Sequence, residues 1–318
     1  MGMTELHTTP YAGVCLACPR RCGVPRGKGF CGMSSMPQVA TVCLHRGEEP
    51  PLNPIVNIFF RGCNLQCIYC QNWQISGNGD SGKWKVESGK LADAGKNTTL
   101  SAIADQIEQA LSPVGAPQML GFVTAAHYPD AVPLIMAEVH RRGLHPVVVY
   151  NSSGYESLDT LRRLEGLVDI YLPDLKYLDP ALAAAYSHAP DYPAVATAAI
   201  TEMVRQVGRG LKVGDDGLAY RGILVRHLVL PGAVDNTRRC LRWLADECGV
   251  HSLSLMAQYY PPHPGLPAPL DRTITASEYS QALQCASEAA FSDIFTQQLT
   301  AQDNYRPDFS RGSNPFEK

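Results

Sequence analysis

Three cysteines within one short stretch carry the clearest chemical signal in this 318-residue chain. Cys63, Cys67 and Cys70 have the spacing C-x3-C-x2-C and follow directly after a short apolar run. Three thiolates on one loop can hold three irons of a [4Fe–4S] cube and leave the fourth iron open. An open iron is what a bidentate small-molecule ligand requires. The spacing therefore predicts a cluster site that also binds a small molecule.

Two simpler interpretations of the same cysteines fit their neighbours less well. A zinc knuckle needs a fourth ligand close by, and the next histidine along the chain is His127. A ferredoxin-type site needs a fourth cysteine two or three residues on, where Gln71, Asn72 and Trp73 stand. We therefore favour the open cluster.

A second group of four cysteines lies near the amino terminus, and its members are Cys15, Cys18, Cys22 and Cys31. Four thiolates can bind a structural zinc or fully ligate a second iron–sulfur cluster, and spacing alone does not decide between these two. Basic side chains among them would offset the negative charge of either site: Arg20, Arg21, Arg26 and Lys28. We expect one metal site here, ahead of a third interpretation as redox-sensitive free thiols.

Composition and charge predict a soluble, cytoplasmic protein. An odd total of 11 cysteines without a signal-like amino terminus argues against a secreted disulfide framework. No apolar run reaches the ~18–20 residues that span a bilayer. A formal net charge of −3 lacks the basic footprint of a nucleic-acid binder. We therefore expect neither a membrane nor nucleic acid as partner. The remaining cysteines are expected to be ordinary thiols: Cys43, Cys240, Cys248 and Cys285.

Six short apolar runs alternate with helix-like segments. The predicted strands are Ile55–Phe60, 119–124, 146–150, 168–172, 223–229 and Ser252–Met256. Apolar residues at helical spacing predict helices over 100–111, 158–164 and 236–246, with Asn236 as a candidate cap of the last. Such alternation implies a parallel sheet covered on both faces. The predicted fold class is α/β, a partial (β/α)6 TIM-type barrel, although a doubly wound sheet has the same local pattern.

Three regions follow from this pattern. Residues 1–50 form a small cysteine-rich amino-terminal segment, 51–290 the core barrel, and 291–318 a polar carboxyl-terminal tail. Within the barrel, residues 76–96 are rich in Gly, Ser and Asp and are predicted to be an irregular loop.

The cysteine triplet after the first barrel strand resembles the signature of the radical SAM superfamily, including the aromatic Tyr69 before the third cysteine. Within that superfamily the chain is most similar to pyruvate formate-lyase-activating enzyme, in a branch with an additional cysteine-rich amino terminus. The resemblance covers about residues 15–265.

Four later segments extend the resemblance, each near the carboxyl end of a predicted strand, where barrel enzymes build their sites. Residues 121–129 occupy the place of a motif whose backbone binds the amino group of SAM, although both glycines of that motif are absent. Residues 149–155, 172–176 and 224–232 resemble the family's D/N-T-x-G-F, D-L-K and R-x-x-V-x-P-G patterns. The resemblance places these residues at the cofactor: Thr124, Ala125, Ala126, His127, Asn151, Ser153, Asp174, Lys176 and Arg226.

Each of these side chains also has a plain structural interpretation. Asp174 and Lys176 fit a polar strand end, Arg226 fits an ion pair with a buried carboxylate, and His127 fits a hydrogen-bonded core histidine. Their common position at strand ends favours the functional interpretation.

The resemblance implies an activity. SAM would chelate the open iron, and one electron would cleave its sulfonium bond to give a 5′-deoxyadenosyl radical that abstracts a hydrogen atom from the substrate. By likeness to the activases, that substrate is a protein or peptide such as a glycyl-radical-type enzyme, with a small metabolite as the alternative. A flavodoxin or ferredoxin is the implied electron donor. A different class, a non-catalytic iron–sulfur or zinc scaffold, would lack a SAM pocket.

Metal analysis of anaerobically purified protein should separate the two interpretations of the amino-terminal cysteines. About four irons with about one zinc per chain would indicate a structural zinc, and about eight irons a second cluster. Four irons, no zinc and four titratable thiols in this segment would contradict both.

Overall fold

The computed structural model describes residues 14–77, 99–113, 118–304, 306–311 and 314–317. The strands are β1 Val39–His45, β2 Ile55–Phe60, β3 Met119–Val123, β4 Val147–Ser152, β5 Ile170–Pro173, β6 Lys212–Val213, β7 Ala219–Ile223, β8 Val225–Leu228, β9 Ser252–Met256 and β10 Asp293–Thr296. The helices are α1 Trp73–Ser76, α2 Leu100–Leu111, α3 Ala131–Arg141, α4 Leu158–Arg163, α5 Pro180–Ser187, α6 Tyr192–Val207, α7 Val234–Arg242, α8 Ala276–Glu288 and α9 Ala301–Asn304. None of these helices is long and apolar enough to cross a membrane.

The sheet is mostly parallel, as predicted. Strands β2, β3, β4, β5 and β7 lie side by side in parallel, and β8, β9 and β10 form a second parallel group. A parallel bridge between Asp174 and Arg226 joins the two groups, because β8 continues β7 after a break at Leu224. Helices follow the successive strands, so the α/β class and the partial (β/α)6 barrel are confirmed.

The six predicted strands agree with the structure to within two residues at each end. Asn236 is not the predicted cap, since it lies inside α7 and bonds the backbone of Lys176 and Leu178. The predicted loop at 76–96 falls largely outside the described residues. Three further strands flank the barrel: β1 pairs antiparallel with β2, β6 pairs antiparallel with β7, and β10 adds a parallel strand beside β9. The structure therefore has a strand inside the region predicted as a tail.

Side chains alternate between the two faces of the parallel strands, as strand geometry requires. Tyr150 and Tyr171 face the covering helices in the main apolar core, whereas Val149 and Leu172 face the barrel interior in a smaller apolar cluster. Gly121 also faces inward. A Cβ there would lie 1.9 Å from Oδ1 of Asn57, so glycine leaves the room that this amide occupies.

The segment after β10 returns across the barrel to its first strands. Phe309 and Phe316 pack against Phe59 of β2, with ring centroids 5.4 and 5.5 Å away. The Asn314 amide donates to the carbonyl of Leu44 in β1 at 2.6 Å. This carboxyl-terminal segment thus covers the side of the barrel between β10 and β1.

Candidate functional site

The cysteine triplet lies on the loop that leaves β2. Cys63, Cys67 and Cys70 all line one cavity of about 640 Å³ in the barrel interior. The backbone N–H of Leu65 donates to Sγ of Cys63 at 3.3 Å, and the Ser187 hydroxyl donates to Sγ of Cys67 at 2.9 Å. Donors aimed at sulfur are what a thiolate ligand needs, so this donor set fits an iron–sulfur cluster.

Burial controls the protonation of these thiols. It raises the pKa of Cys63 and of Cys67 to about 11, and it also raises the pKa of Cys70. Neighbouring Lys176 lowers each pKa in part, because its positive charge favours the thiolate. Loading a metal would therefore release protons from the triplet. In the described part of the chain, no three or more His, Cys, Asp or Glu side chains are already grouped to hold a metal ion.

The strand ends predicted to bind the cofactor meet at the same cavity. Thr124, Asn151, Ser153, Asp174 and Lys176 all line it. The carbonyl of Asn151 accepts a hydrogen bond from the Thr124 N–H at 2.9 Å, which joins two of these strand ends directly. The hydroxyl of Ser153 is buried and has no hydrogen-bond partner among the described residues. An unpaired buried hydroxyl beside a cavity is a ready contact for a bound ligand.

The rest of the 124–127 segment turns away from the cavity. Ala125 and Ala126 are buried behind it, and His127 bonds the carbonyl of Arg61 through Nε2 at 2.7 Å. Burial lowers the pKa of His127 to about 4, so its ring is neutral near pH 7. His127 therefore supports the start of the cysteine loop from behind.

Asp174 and Lys176 form an ion pair at the cavity wall. Burial alone would lower the pKa of Lys176, but the Asp174 carboxylate and the Cys67 sulfur hold it above its ordinary value. Lys176 is therefore charged at every ordinary pH. It faces both the triplet and the strand ends, where a carboxylate of a ligand would meet it.

Arg226 lines the cavity, and it has charged partners of its own there. Its guanidinium pairs with both Glu48 and Glu49, and the bond from Nε to Oε1 of Glu49 is 2.9 Å. Glu48 also accepts from the Asn57 amide at 2.9 Å and lies 2.9 Å from Nδ1 of His45. Burial tends to raise the pKa of Glu48, yet Arg226 and His45 hold it below its usual range. The plain interpretation of Arg226 as a partner for buried carboxylates is therefore correct for its present contacts.

The amino-terminal cysteines form a separate group against the back of the cysteine loop. Burial raises the pKa of Cys18 to about 12 and also raises that of Cys31, and nearby thiols add to both shifts. Sγ of Cys15 accepts from Arg26 and Sγ of Cys22 from the Phe30 N–H, each at 3.4 Å. Cys43 lies apart in the apolar cluster that contains Phe59.

Arg20 connects this amino-terminal segment to the barrel. Its guanidinium donates to the carbonyl of Asn64 at 2.7 Å and to the carbonyls of Ser187 and His188 at the end of α5. It also lies 4.0 Å above the ring of Phe30. One side chain thus joins the cysteine-rich segment, the triplet loop and α5.

Sequence reasoning missed several residues of the site. Glu48 and Glu49 lie 178 and 177 positions from Arg226, so no local pattern connects them. Ser187 ends an alanine-rich helix that was not predicted. In the sequence, Glu156 looks like an ordinary loop residue. The one signal of a structural role is its position two residues after Gly154 in the 149–155 segment.

No family model matches the chain. Among curated proteins it is 26% identical over 279 residues to an uncharacterised protein of Methanocaldococcus jannaschii, which covers 86% of this chain and 74% of that protein.

Three solved structures are similar in fold at 10–13% identity. One is a domain of pyruvate-formate lyase-activating enzyme from Bacteroides vulgatus, at 12% identity, with 54% of this chain and 92% of that one covered and a TM-score of 0.38. The second is Streptococcus suis SuiB bound to S-adenosylmethionine, at 13% identity, 76% and 50% coverage and a TM-score of 0.45. The third is anSMEcpe with bound AdoMet, at 10% identity, 71% and 57% coverage and a TM-score of 0.48.

The chain thus spans about half the length of SuiB and of anSMEcpe. Similarity of fold does not determine activity, which depends on the residues of the site itself.

Glu156 is the buried carboxyl group below the strand ends, and its titration gives a pH-dependent prediction. Ser152 and Tyr150 donate to it at 2.6 and 3.3 Å, but burial raises its pKa from 4.5 to about 7. Because the pKa of Glu156 is higher in the folded state, its contribution to the free energy of unfolding is greatest below pH 4.5. That contribution falls as the pH rises toward 7. Glu156→Gln should therefore gain up to about 3 kcal/mol on wild type between pH 5 and pH 8 in urea unfolding. The exposed Glu288→Gln serves as control, and parallel pH profiles for wild type and Glu156→Gln would contradict the buried titration.

Proposed function

We propose that this chain is a radical SAM enzyme that binds SAM beside a [4Fe–4S] cluster in the barrel interior. One observation carries the proposal: the three thiols share a single cavity with Asn151, Ser153, Asp174 and Lys176. A non-catalytic metal scaffold gives no reason for a cavity that brings these charged and polar side chains next to its thiols. We place the reaction in the reducing cytoplasm, where thiols stay reduced.

The proposed cluster ligands are Cys63, Cys67 and Cys70. When bound, the cluster supplies the single electron that cleaves the carbon–sulfur bond of SAM to methionine and a 5′-deoxyadenosyl radical. The chain supplies ligation, orientation and exclusion of water. Cys63 is buried, and Phe316 of the carboxyl-terminal segment lines the cavity, which supports a site partly shielded from solvent.

The SAM contacts that we propose lie on successive strand ends. The backbone at Thr124 and the side chains of Asn151 and Ser153 would hold the amino acid and ribose portions. Lys176 offers a fixed positive charge for a carboxylate, and Asp174 an acceptor for an ammonium or hydroxyl group. This wall is supported from behind by Ala125, Ala126 and His127. We also propose a cofactor contact for Arg226, which lines the same cavity.

For the substrate we propose hydrogen abstraction from a protein or peptide, supported by the resemblance to activases in the sequence. A glycyl-radical-type enzyme is the partner this implies, with flavodoxin or ferredoxin as the electron donor. A gene for a glycyl-radical enzyme next to that of this chain would favour this substrate class.

A small polar metabolite is the second candidate, and a specific observation favours it. The carboxyl-terminal segment packs Phe309 and Phe316 over the side where a partial barrel is open. The cavity is also lined by Arg226, Glu48 and Glu49, and such charged groups are suited to contact with a small polar molecule.

For the amino-terminal segment we propose one metal held by Cys15, Cys18, Cys22 and Cys31, zinc or iron–sulfur. Support comes from the hydrogen bonds donated to Cys15 and Cys22 and from the mutual electrostatic effect of the thiols. Arg20 joins this segment to the triplet loop. Loss of the metal from the amino-terminal segment should therefore disturb the triplet loop in the barrel.

Replacing Cys63, Cys67 and Cys70 together by Ala should abolish both the visible absorbance of the barrel cluster and all cleavage of SAM. The reason is that no other described thiol lines the cavity. Reconstitution under anaerobic conditions, then incubation with SAM and dithionite and chromatography of 5′-deoxyadenosine, measures both. The matched control replaces Cys240, Cys248 and Cys285 by Ala and should retain cleavage. Cleavage by the first triple variant would refute the assignment.

Asp174→Ala should weaken SAM binding while leaving the cluster in place. A lost hydrogen bond to a charged group costs roughly 1.5–3 kcal/mol, which is about ten- to a hundredfold in affinity. Titration calorimetry on reconstituted protein measures the affinity, and iron content shows that the cluster is retained. Asp235→Ala, at an exposed position, is the control. Unchanged affinity of Asp174→Ala would remove Asp174 from the SAM site.

A further inference from the structure

The carboxyl-terminal end of α5 contacts the cysteine loop through two hydrogen bonds, and Arg20 of the amino-terminal segment binds it as well. The carbonyl of Tyr186 accepts from the Ile68 N–H at 2.9 Å. The hydroxyl of Ser187 donates to Sγ of Cys67, also at 2.9 Å. Arg20 holds the carbonyls of Ser187 and His188 from the other side. Ser187 is completely buried, so bulk water does not compete with the sulfur for its hydroxyl.

Behind Ser187 lies a buried chain of two tyrosine hydroxyls. The Tyr177 hydroxyl is 2.9 Å from Oγ of Ser187 and 2.5 Å from the hydroxyl of Tyr69. Tyr177 is fully buried and Tyr69 nearly so. No step of the proposed reaction uses these hydroxyl groups.

The directions of these hydrogen bonds follow from the donors. The Tyr177 hydroxyl donates its one hydrogen to the Tyr69 hydroxyl, so its oxygen can only accept from Ser187. A thiolate at Cys67 also only accepts, and the Ser187 hydroxyl donates to it. The Cys67 sulfur and the Tyr177 oxygen therefore compete for the single hydrogen of Ser187.

We propose that the Ser187 hydroxyl tunes the reduction potential of the cluster held by Cys67 by donating to its sulfur, with the Tyr177 oxygen as a competing acceptor. The inference rests on the proposed function, because it concerns the cluster proposed there. Reduction adds one electron from a low-potential donor and neither forms nor breaks a bond. The added negative charge spreads onto the thiolate sulfurs, so a hydrogen bond to sulfur stabilises the reduced state more than the oxidised state.

The test is an anaerobic redox titration of reconstituted protein with dithionite, followed by electron paramagnetic resonance without SAM. Ser187→Ala should shift the midpoint potential of the barrel cluster to a more negative value while iron content stays at the wild-type level. Tyr177→Phe should shift it by a smaller amount to a less negative value, because Ser187 then donates its hydrogen to the sulfur alone. Ser252→Ala is the matched control. Ser252 is equally buried and bonds Leu211 and Asp293 at the start of β9, away from the thiols, so its loss should leave the potential unchanged.

Outcomes are distinguishable from those of the proposed function. Wild-type protein that assembles no [4Fe–4S] cluster would refute the proposed function. A wild-type cluster whose potential is the same in Ser187→Ala would overturn the role of Ser187 alone, as would an equal shift in Ser252→Ala. If Ser187→Ala fails to retain iron, Tyr177→Phe decides: a shift to a less negative potential supports the proposal, and an unchanged or more negative potential overturns it.

Discussion

Charged groups inside a barrel need partners, because an isolated charge away from water costs far more free energy than a paired one. In this chain the interior contains Asp174 with Lys176, and Arg226 with Glu48 and Glu49. Asp174 and Arg226 also form the bridge that joins the two groups of parallel strands. The pairing of buried charges and the closure of the sheet therefore occur at the same place, and the cavity lies directly beside it.

The cysteine loop depends on support from elements that are distant in sequence. His127 holds its first turn, the end of α5 holds its middle, and Gln71 exchanges two hydrogen bonds with Gln258 after β9. Arg20 of the amino-terminal segment also supports the loop, because it donates to the carbonyl of Asn64. A loop that must hold three thiols at one point has few bonds of its own, so rigidity comes from these neighbours.

Local patterns were sufficient for the central strands. Runs such as Ile55–Phe60 are apolar because both faces of a parallel strand are covered, and this signal survives without tertiary information. By contrast, α5 is rich in alanine and lacks a periodic apolar stripe, and β10 is short and mostly exposed. The partners of Arg226 and Cys67 lie 178 and 120 residues away, so only the folded chain reveals them.

The glycine at position 121 has a consequence for how sequences related to this one can vary. Its missing side chain gives space to Asn57, whose amide supports Glu48, the partner of Arg226. A larger residue at 121 would displace that amide and leave the carboxylate less well supported. These four positions, on three strands and one loop, should therefore covary: lineages that lose the glycine should also have exchanged the asparagine and remodelled the buried ion pair.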